Sequence, residues 1–167
     1  YPTRQTAIGL QLALMLGTRP NEIRRAEWSE FDFEEKLWVI PAHKMKKRVE
    51  HTIPLSSQVI ELLNELKVYS GSSPYLFRGR NSGKEPISNA TLGNALKKMG
   101  YNGKQTPHGF RHIASTALND KFSDKEQVIE ACLAHKKHGV KAVYDKATHL
   151  EERIEIMQWW ATHLDEI

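Results

Sequence analysis

Arg19, Lys46, His108, Arg111, His135 and Tyr144 are spread over most of the chain, yet their side chains form one chemical set. Five are cations or become so on protonation, and the sixth is a phenol. Cationic groups converging on an anion beside a nucleophile make a phosphoryl-transfer site, where the protein positions groups and stabilises developing charge. Such a site needs no metal cluster and no cofactor.

His108 and Arg111 stand three residues apart, on one face if the segment is helical. Pro107 before them suits a helix start, with Thr106 as cap, and a helix N-terminus itself attracts phosphate. Arg19 has a similar setting ahead of Pro20, and its planar guanidinium offers a fork to phosphate oxygens. Glu22 can orient that arginine or cap its own backbone. Lys46 lies in the run His43-Lys44-Met45-Lys46-Lys47-Arg48. A lysine whose pKa is lowered by neighbouring cations can act as a general acid, but composition does not choose among the three lysines. His135 follows an apolar helical stretch, and Tyr144 comes one short helix later. Taken singly, each has an ordinary reading: a surface histidine or arginine, a solvated hairpin, a core tyrosine.

The elements that must position these groups are mostly helical. Ile8, Leu12, Met15 and Leu16 fall at helical spacing over residues 3–17, with Leu10 and Leu14 widening the stripe. Thr18 is a candidate N-cap for a helix over 20–26, with Pro20 in its first turn. Phe31, Phe33, Trp38, Val39, Ile40, Thr52 and Ile53 favour strands, predicting a small antiparallel sheet with a basic turn. Helices are expected over 56–68, 88–99, 108–119, 124–134, 138–146 and 150–164. Ser70-Gly71-Ser72-Ser73-Pro74 reads as a turn, and 78–86 as a basic loop. The fold class is mainly α with a small antiparallel β-sheet (α+β). In the last helix Ile154, Met157 and Ala161 are expected to share a face, packed on this domain or on a neighbouring subunit.

The 167 residues suffice for one domain with a core. Cys132 is the only cysteine, which excludes an internal disulfide and a Cys-based zinc finger, and fits a reducing compartment. No apolar run reaches membrane-spanning length. Net charge is +4, but residues 150–167 carry −4, so the other 149 residues carry +8. Residues 91–119 hold no acid. A basic body of this kind suits a polyanion partner.

Several local contexts occur in order: Thr18-Arg19-Pro20-Asn21-Glu22-Ile23, His108-Gly109-Phe110-Arg111 and Leu133-Ala134-His135, then Tyr144 nine residues after that histidine. Leu150-Glu151-Glu152-Arg153 and Met157-Gln158-Trp159-Trp160-Ala161 follow. In these the chain resembles the catalytic domain of the tyrosine recombinases, the phage integrase family, and looks most like the prophage-type integrases. The resemblance runs from about residue 5 to residue 164.

It implies the DNA breaking-and-rejoining catalytic fold. By position, Arg19 matches the first catalytic arginine, His108 and Arg111 the HxxR pair, His135 the later His/Trp position and Tyr144 the nucleophile. The family lysine lies eight residues before a strand-end proline; counting back from Pro54 gives Lys46, with Lys44 and Lys47 still open. Ala134 stands where many members have Gly, and His138 falls in a variable stretch. The implied partner is double-stranded DNA at attachment sites, with a homo-tetramer on DNA and a monomer alone. Lys44, Lys47, Arg48, Arg78, Arg80 and Lys136 are the expected DNA contacts. The implied setting is the bacterial cytoplasm and nucleoid. The start at Tyr1 reads as that of a C-terminal fragment, residues 1–167 forming one catalytic domain without the family's N-terminal DNA-binding domains. The alternatives are a type IB topoisomerase, a family that generally has Lys where His108 stands, and a non-catalytic DNA-binding module.

Overall fold

The structure, a computed structural model, describes residues 3–134 and 149–167. The helix expected over 138–146 lies outside them, as do His135, Lys136, His138 and Tyr144.

Helix α1 (Arg4–Leu16) is the hub. Its stripe of Ile8, Leu12, Ala13 and Leu16 is almost wholly shielded from water, because other helices cover it on several sides. Thr3 caps its start by accepting from the Thr6 N–H at 3.3 Å, and Gly17 ends it with φ at +61°. That left-handed turn is one in which only glycine is free of Cβ strain. Close packing adds to the requirement, since a Cβ on Gly17 would come within 2.9 Å of the Leu133 side chain.

Helix α2 (Pro20–Arg24) follows at once. Its N-cap is Arg19, one residue later than expected, and the buried Thr18 hydroxyl finds no hydrogen-bond partner. The reason is Glu22, whose carboxylate accepts the Arg19 backbone N–H at 3.0 Å and so does the capping from the third helical position.

Strands β1 (Phe31–Asp32), β2 (Leu37–Ile40) and β3 (His51–Pro54) form the expected sheet, antiparallel in the order β1-β2-β3. Trp38 is its anchor. It is fully buried, pairs with Phe31 and Ile53, stacks on Phe31 at 5.1 Å, and donates its indole N–H to Glu30 at 3.0 Å. Losing such a buried aromatic costs about 3–5 kcal/mol.

Helices α3 (Ser57–Ser70), α4 (Thr91–Leu96), α5 (Pro107–Lys121), α6 (Glu126–Cys132) and α7 (Leu150–Glu166) complete the described chain. The segment expected as one helix over 88–99 starts later, at Thr91, and widens into a π-type turn over Lys97–Tyr101 that is kinked at Gly100, φ +91°. Helix α7 folds back on its own domain. Its buried face is Arg153, Ile156, Met157, Trp160 and Ala161, an i, i+3, i+4, i+7, i+8 series. Ile154 is not part of that face and remains 46% exposed, because it lies off the stripe that Ile156 and Trp160 define. The Trp160 indole donates to the Leu14 carbonyl at 3.0 Å, and Gln158 and Gln58 are linked side chain to side chain at 2.8 Å. No described helix is long and apolar enough to cross a membrane.

Candidate active site

Two helix starts and two helix ends meet where α1 gives way to α2. Arg19 is delivered by the Gly17 turn and held by Glu22, which accepts its guanidinium at 3.2 Å as well as its backbone N–H. The guanidinium keeps 27% exposure, while the Glu22 side chain keeps 6%. The carboxylate is therefore the inner partner, and the arginine faces outward from it.

Arg111 arrives on α5. Thr106 caps that helix, as expected, accepting the Gly109 N–H at 3.0 Å, and Pro107 is its first residue. Arg111, Ala114 and Leu118 form the inward stripe, leaving Arg111 only 5% exposed. Its guanidinium donates to the Gly17 carbonyl at 2.9 Å and to the Leu133 carbonyl. It thus ties the end of α1 to the end of α6. Burial pulls its pKa down from the usual 12.5 to about 10, and the Arg19 charge adds to the fall against Glu22 and Glu130. Two arginines that repel each other with this little water around them make a site suited to an anion.

His108 stands one turn nearer the α5 N-terminus and is exposed, its ring 5.3 Å from that of His112 in an edge arrangement. Lys46 is exposed in the β2–β3 connection. There Met45 is buried, and the Arg48 N–H closes a turn onto the Met45 carbonyl at 3.0 Å. The buried methionine anchors the turn that carries Lys46 and Lys47. Arg48 is exposed too, donating to the His43 carbonyl at 2.9 Å.

Lys44, an alternative catalytic lysine and an expected DNA contact, is engaged within the fold. Its ammonium donates to the Arg25 carbonyl at 3.0 Å, to Glu27 at 2.7 Å and to Glu30. An ammonium has three N–H groups, so none remains for a phosphate. Burial alone would lower its pKa, but the hydrogen bonds to Glu27 and Glu30 outweigh that and raise it. Lys44 holds the sheet entrance together.

Arg78 and Arg80 are exposed and line an open groove of about 1420 Å³ that also takes in Arg24, Arg25 and Lys98. Arg24 is fixed there by bonds to Asn21 at 2.9 Å and to the Ile87 carbonyl at 2.8 Å.

His51 and Arg153 escaped the sequence reading. His51 opens β3 opposite Ile40. Burial, then the charges of Arg153, Arg111 and Arg19, press its pKa down to about 3. The signal was present, since alternation from buried Ile53 puts residue 51 on the same side of the strand. Arg153 is 5% exposed on α7 and donates to the Thr52 carbonyl, the next residue of β3. Cys132 is buried beside it, and burial pushes its thiol up to about 11.

The comparisons agree with this geometry. The Phage integrase family pattern matches residues 2–151. Prophage integrase IntA of Escherichia coli (strain K12) is 42% identical over 149 residues, covering 89% of this chain and 36% of that protein. The chain spans about two fifths of the length of the curated relatives it matches. The integrase from mycobacterium phage Brujita shares the fold with a TM-score of 0.69 at 20% identity, over 95% of this chain and 52% of that one. The Tn1549 transposon integrase, solved in complex with circular intermediate DNA, gives 0.60 at 14% identity, over 80% and 51% of the two chains. The matched span holds both arginines, the HxxR pair and the β2–β3 turn, and the chain belongs to the phage integrase family.

Proposed function

We propose that this chain is the catalytic domain of a site-specific DNA recombinase that integrates and excises a prophage by breaking and rejoining strands through a 3′-phosphotyrosyl link. The observation that carries this reading is the buried Arg111, whose guanidinium holds the Gly17 carbonyl at the turn that delivers Arg19 and whose pKa is lowered by burial first and by the Arg19 charge second. A phosphodiester between them relieves that repulsion.

In this reading the Tyr144 oxygen attacks the phosphorus and the 5′-oxygen leaves, so one phosphoester bond replaces another. Because the bond energy is kept in the adduct, a 5′-hydroxyl can reverse the step on the same or another strand. Free tyrosine has a pKa of about 10, so roughly a thousandth is phenolate at pH 7. His108, exposed at the start of α5, is the proposed base. Arg19 and Arg111 hold the non-bridging oxygens as charge builds. Lys46 protonates the departing 5′-oxygen, and His135 hydrogen-bonds the phosphate.

Double-stranded DNA at attachment sites is the proposed partner, with the groove around Arg78 and Arg80 and the Lys47-Arg48 turn on its backbone. Lys136 joins them in this proposal. The assembly is a tetramer on DNA and a monomer without it, in the bacterial cytoplasm at the nucleoid.

The test is covalent trapping on nicked duplexes. The wild-type chain is expected to give a protease-sensitive, gel-retarded adduct, and Tyr144→Phe to bind DNA without one. An adduct from the Phe variant removes Tyr144 as nucleophile. Site-independent relaxation of supercoiled plasmid points instead to topoisomerase action. Steeply salt-dependent binding with no adduct at all points to a binding module.

A further inference from the structure

His108 has a neighbour that the proposed reaction does not use. His112 stands four residues further along α5, exposed like His108, and the two ring centroids lie 5.3 Å apart with their planes at 84°. Residues four apart on a helix share a face, with Cβ atoms about 5–6 Å from each other. Neither ring makes a hydrogen bond among the described residues, so each keeps a nitrogen lone pair to offer.

Two imidazoles on one tetrahedral metal, at about 2.0–2.1 Å from each nitrogen, hold their centroids roughly 5 Å apart. The separation on α5 is that of a chelate. The same spacing is the one by which a helix presents paired histidines to zinc. Because both rings are exposed, turning their nitrogens onto a common ion repacks nothing.

The surroundings select the class of ion. Residues 91–119 hold no acid, so cations that seek oxygen, such as Mg²⁺ and Ca²⁺, find no carboxylate on this stretch. Imidazole suits Zn²⁺, Ni²⁺ and Cu²⁺, and Cu²⁺ binds the most tightly of the three. Arg111 precedes His112 in the chain, but its guanidinium turns inward to the Gly17 and Leu133 carbonyls and does not cover the pair. Its charge still opposes a dication and limits the affinity. No cluster of three metal-ligating side chains occurs among the described residues, so water fills the remaining positions and the ion exchanges readily.

We propose that His108 and His112 form a bidentate site for a transition-metal dication of the Zn²⁺, Ni²⁺ and Cu²⁺ class, and that filling it switches off strand cleavage. A metal on the His108 nitrogen takes the lone pair that would accept the tyrosine proton. The site stands on the geometry of α5, whereas the inhibition rests on the catalytic reading above.

The experiment uses the untagged chain, freed of metal with EDTA and dialysed, beside His112→Ala and His108→Ala. Each is titrated with ZnCl₂ by calorimetry and loaded with CuCl₂ for electron paramagnetic resonance. Bound Cu²⁺ is expected to show splitting from two imidazole nitrogens in the wild-type chain and from fewer in either variant. Removing a group that merely supports a metal ligand costs about 10- to 100-fold in affinity, so removing a ligand should weaken Zn²⁺ at least about 10-fold. Adduct formation is then followed on a pool of nicked duplexes randomised around the nick, with Zn²⁺ and with EDTA. The wild-type rate should collapse as the site fills and return with EDTA. His112→Ala should match the wild-type rate in EDTA and need about 10-fold more Zn²⁺ for the same loss.

Equal Zn²⁺ sensitivity of the wild-type chain and His112→Ala overturns the proposal, as does Cu²⁺ held alike by all three proteins, since the ion then sits elsewhere. Wild-type cleavage that persists at a Zn²⁺ concentration filling the site overturns it too. If the metal-free wild-type chain gives no adduct, the catalytic reading falls and the inhibition with it, while the binding comparison decides the site.

Discussion

The Arg111 guanidinium donates to the Gly17 carbonyl at 2.9 Å, linking a helix start to the end of a helix 94 residues earlier. Its second hand is on Leu133. One side chain therefore joins the turn that delivers Arg19 to the segment that leads into His135. A residue with only a point charge cannot do this, because the fork of the guanidinium reaches both carbonyls at once.

Arg111→Lys is accordingly expected to be more than a loss of phosphate affinity. Two buried carbonyls lose their donors, at about 1–3 kcal/mol for each group left unsatisfied. Urea unfolding should show a midpoint lowered by several tenths molar or more. Adduct formation should fall about 100- to 1000-fold, as for removal of a preorganised donor. A Lys variant of wild-type stability would mean that the carbonyl contacts contribute nothing.

Lys44 and Lys46 should separate cleanly. Lys44→Ala leaves Glu30, at 6% exposure, facing Glu27 without its cation, and breaking a buried pair costs about 3–5 kcal/mol. Lys46→Ala changes an exposed turn residue and should leave stability within about 0.5 kcal/mol. Its effect should instead appear in cleavage, and a 5′-bridging phosphorothiolate, whose leaving group needs no proton, should restore the rate. Rescue of Lys44→Ala by that substrate would reverse the assignment.

Stability should depend on pH through His51. Its pKa is about 3 in the folded chain against 6.5 in its ordinary state. Between those values the unfolded chain binds the extra proton, so stability is complete above about pH 6.5 and falls as pH drops toward 3. The slope from one such group reaches at most about 1.4 kcal/mol per pH unit. Denaturant midpoints at pH 7, 6 and 5 should show the decline, and His51→Gln should lose that component. Equal slopes in the two proteins would place the imidazole in water.

Ala134→Gly should stabilise the fold. An L-residue at φ +53° carries roughly 1–2 kcal/mol of strain. Glycine removes it but gives back about 0.5–1 kcal/mol in unfolded-chain entropy. A net gain near 0.5 kcal/mol is expected, read as a higher urea midpoint at unchanged slope. A loss would show that the methyl group packs more usefully than its backbone angle suggests.

Much of this was legible in the sequence, for local reasons. The periodicity of Ile8, Leu12 and Leu16 located α1, and Thr106-Pro107 located the start of α5, because stripes and caps are short-range features. Arg19 and the HxxR pair stood out by their immediate neighbours. What was not legible depended on groups distant in the chain. Lys44 and Lys46 look alike until Glu27 and Glu30 fold against one of them. His51 drew no reading, because the groups that lower its pKa after burial belong to α5, α7 and the α1–α2 turn, distant in the chain. Ile154 seemed to share a face with Met157, but a helix buries the stripe its neighbours select, and β3, α1 and α6 selected the one through Arg153 and Trp160.

The bond from the Trp160 indole to the Leu14 carbonyl bears on how the protein is made. Leu14 is in the last turn of α1, whose terminal carbonyls have no partners of their own. A chain emerging from the ribosome makes α1 before the helices that cover it, and α7, 146 positions later, is the last described of them. Until then one side of this apolar helix is open to wrong partners. Chains that stop before α7 are therefore expected to aggregate more readily than the full chain.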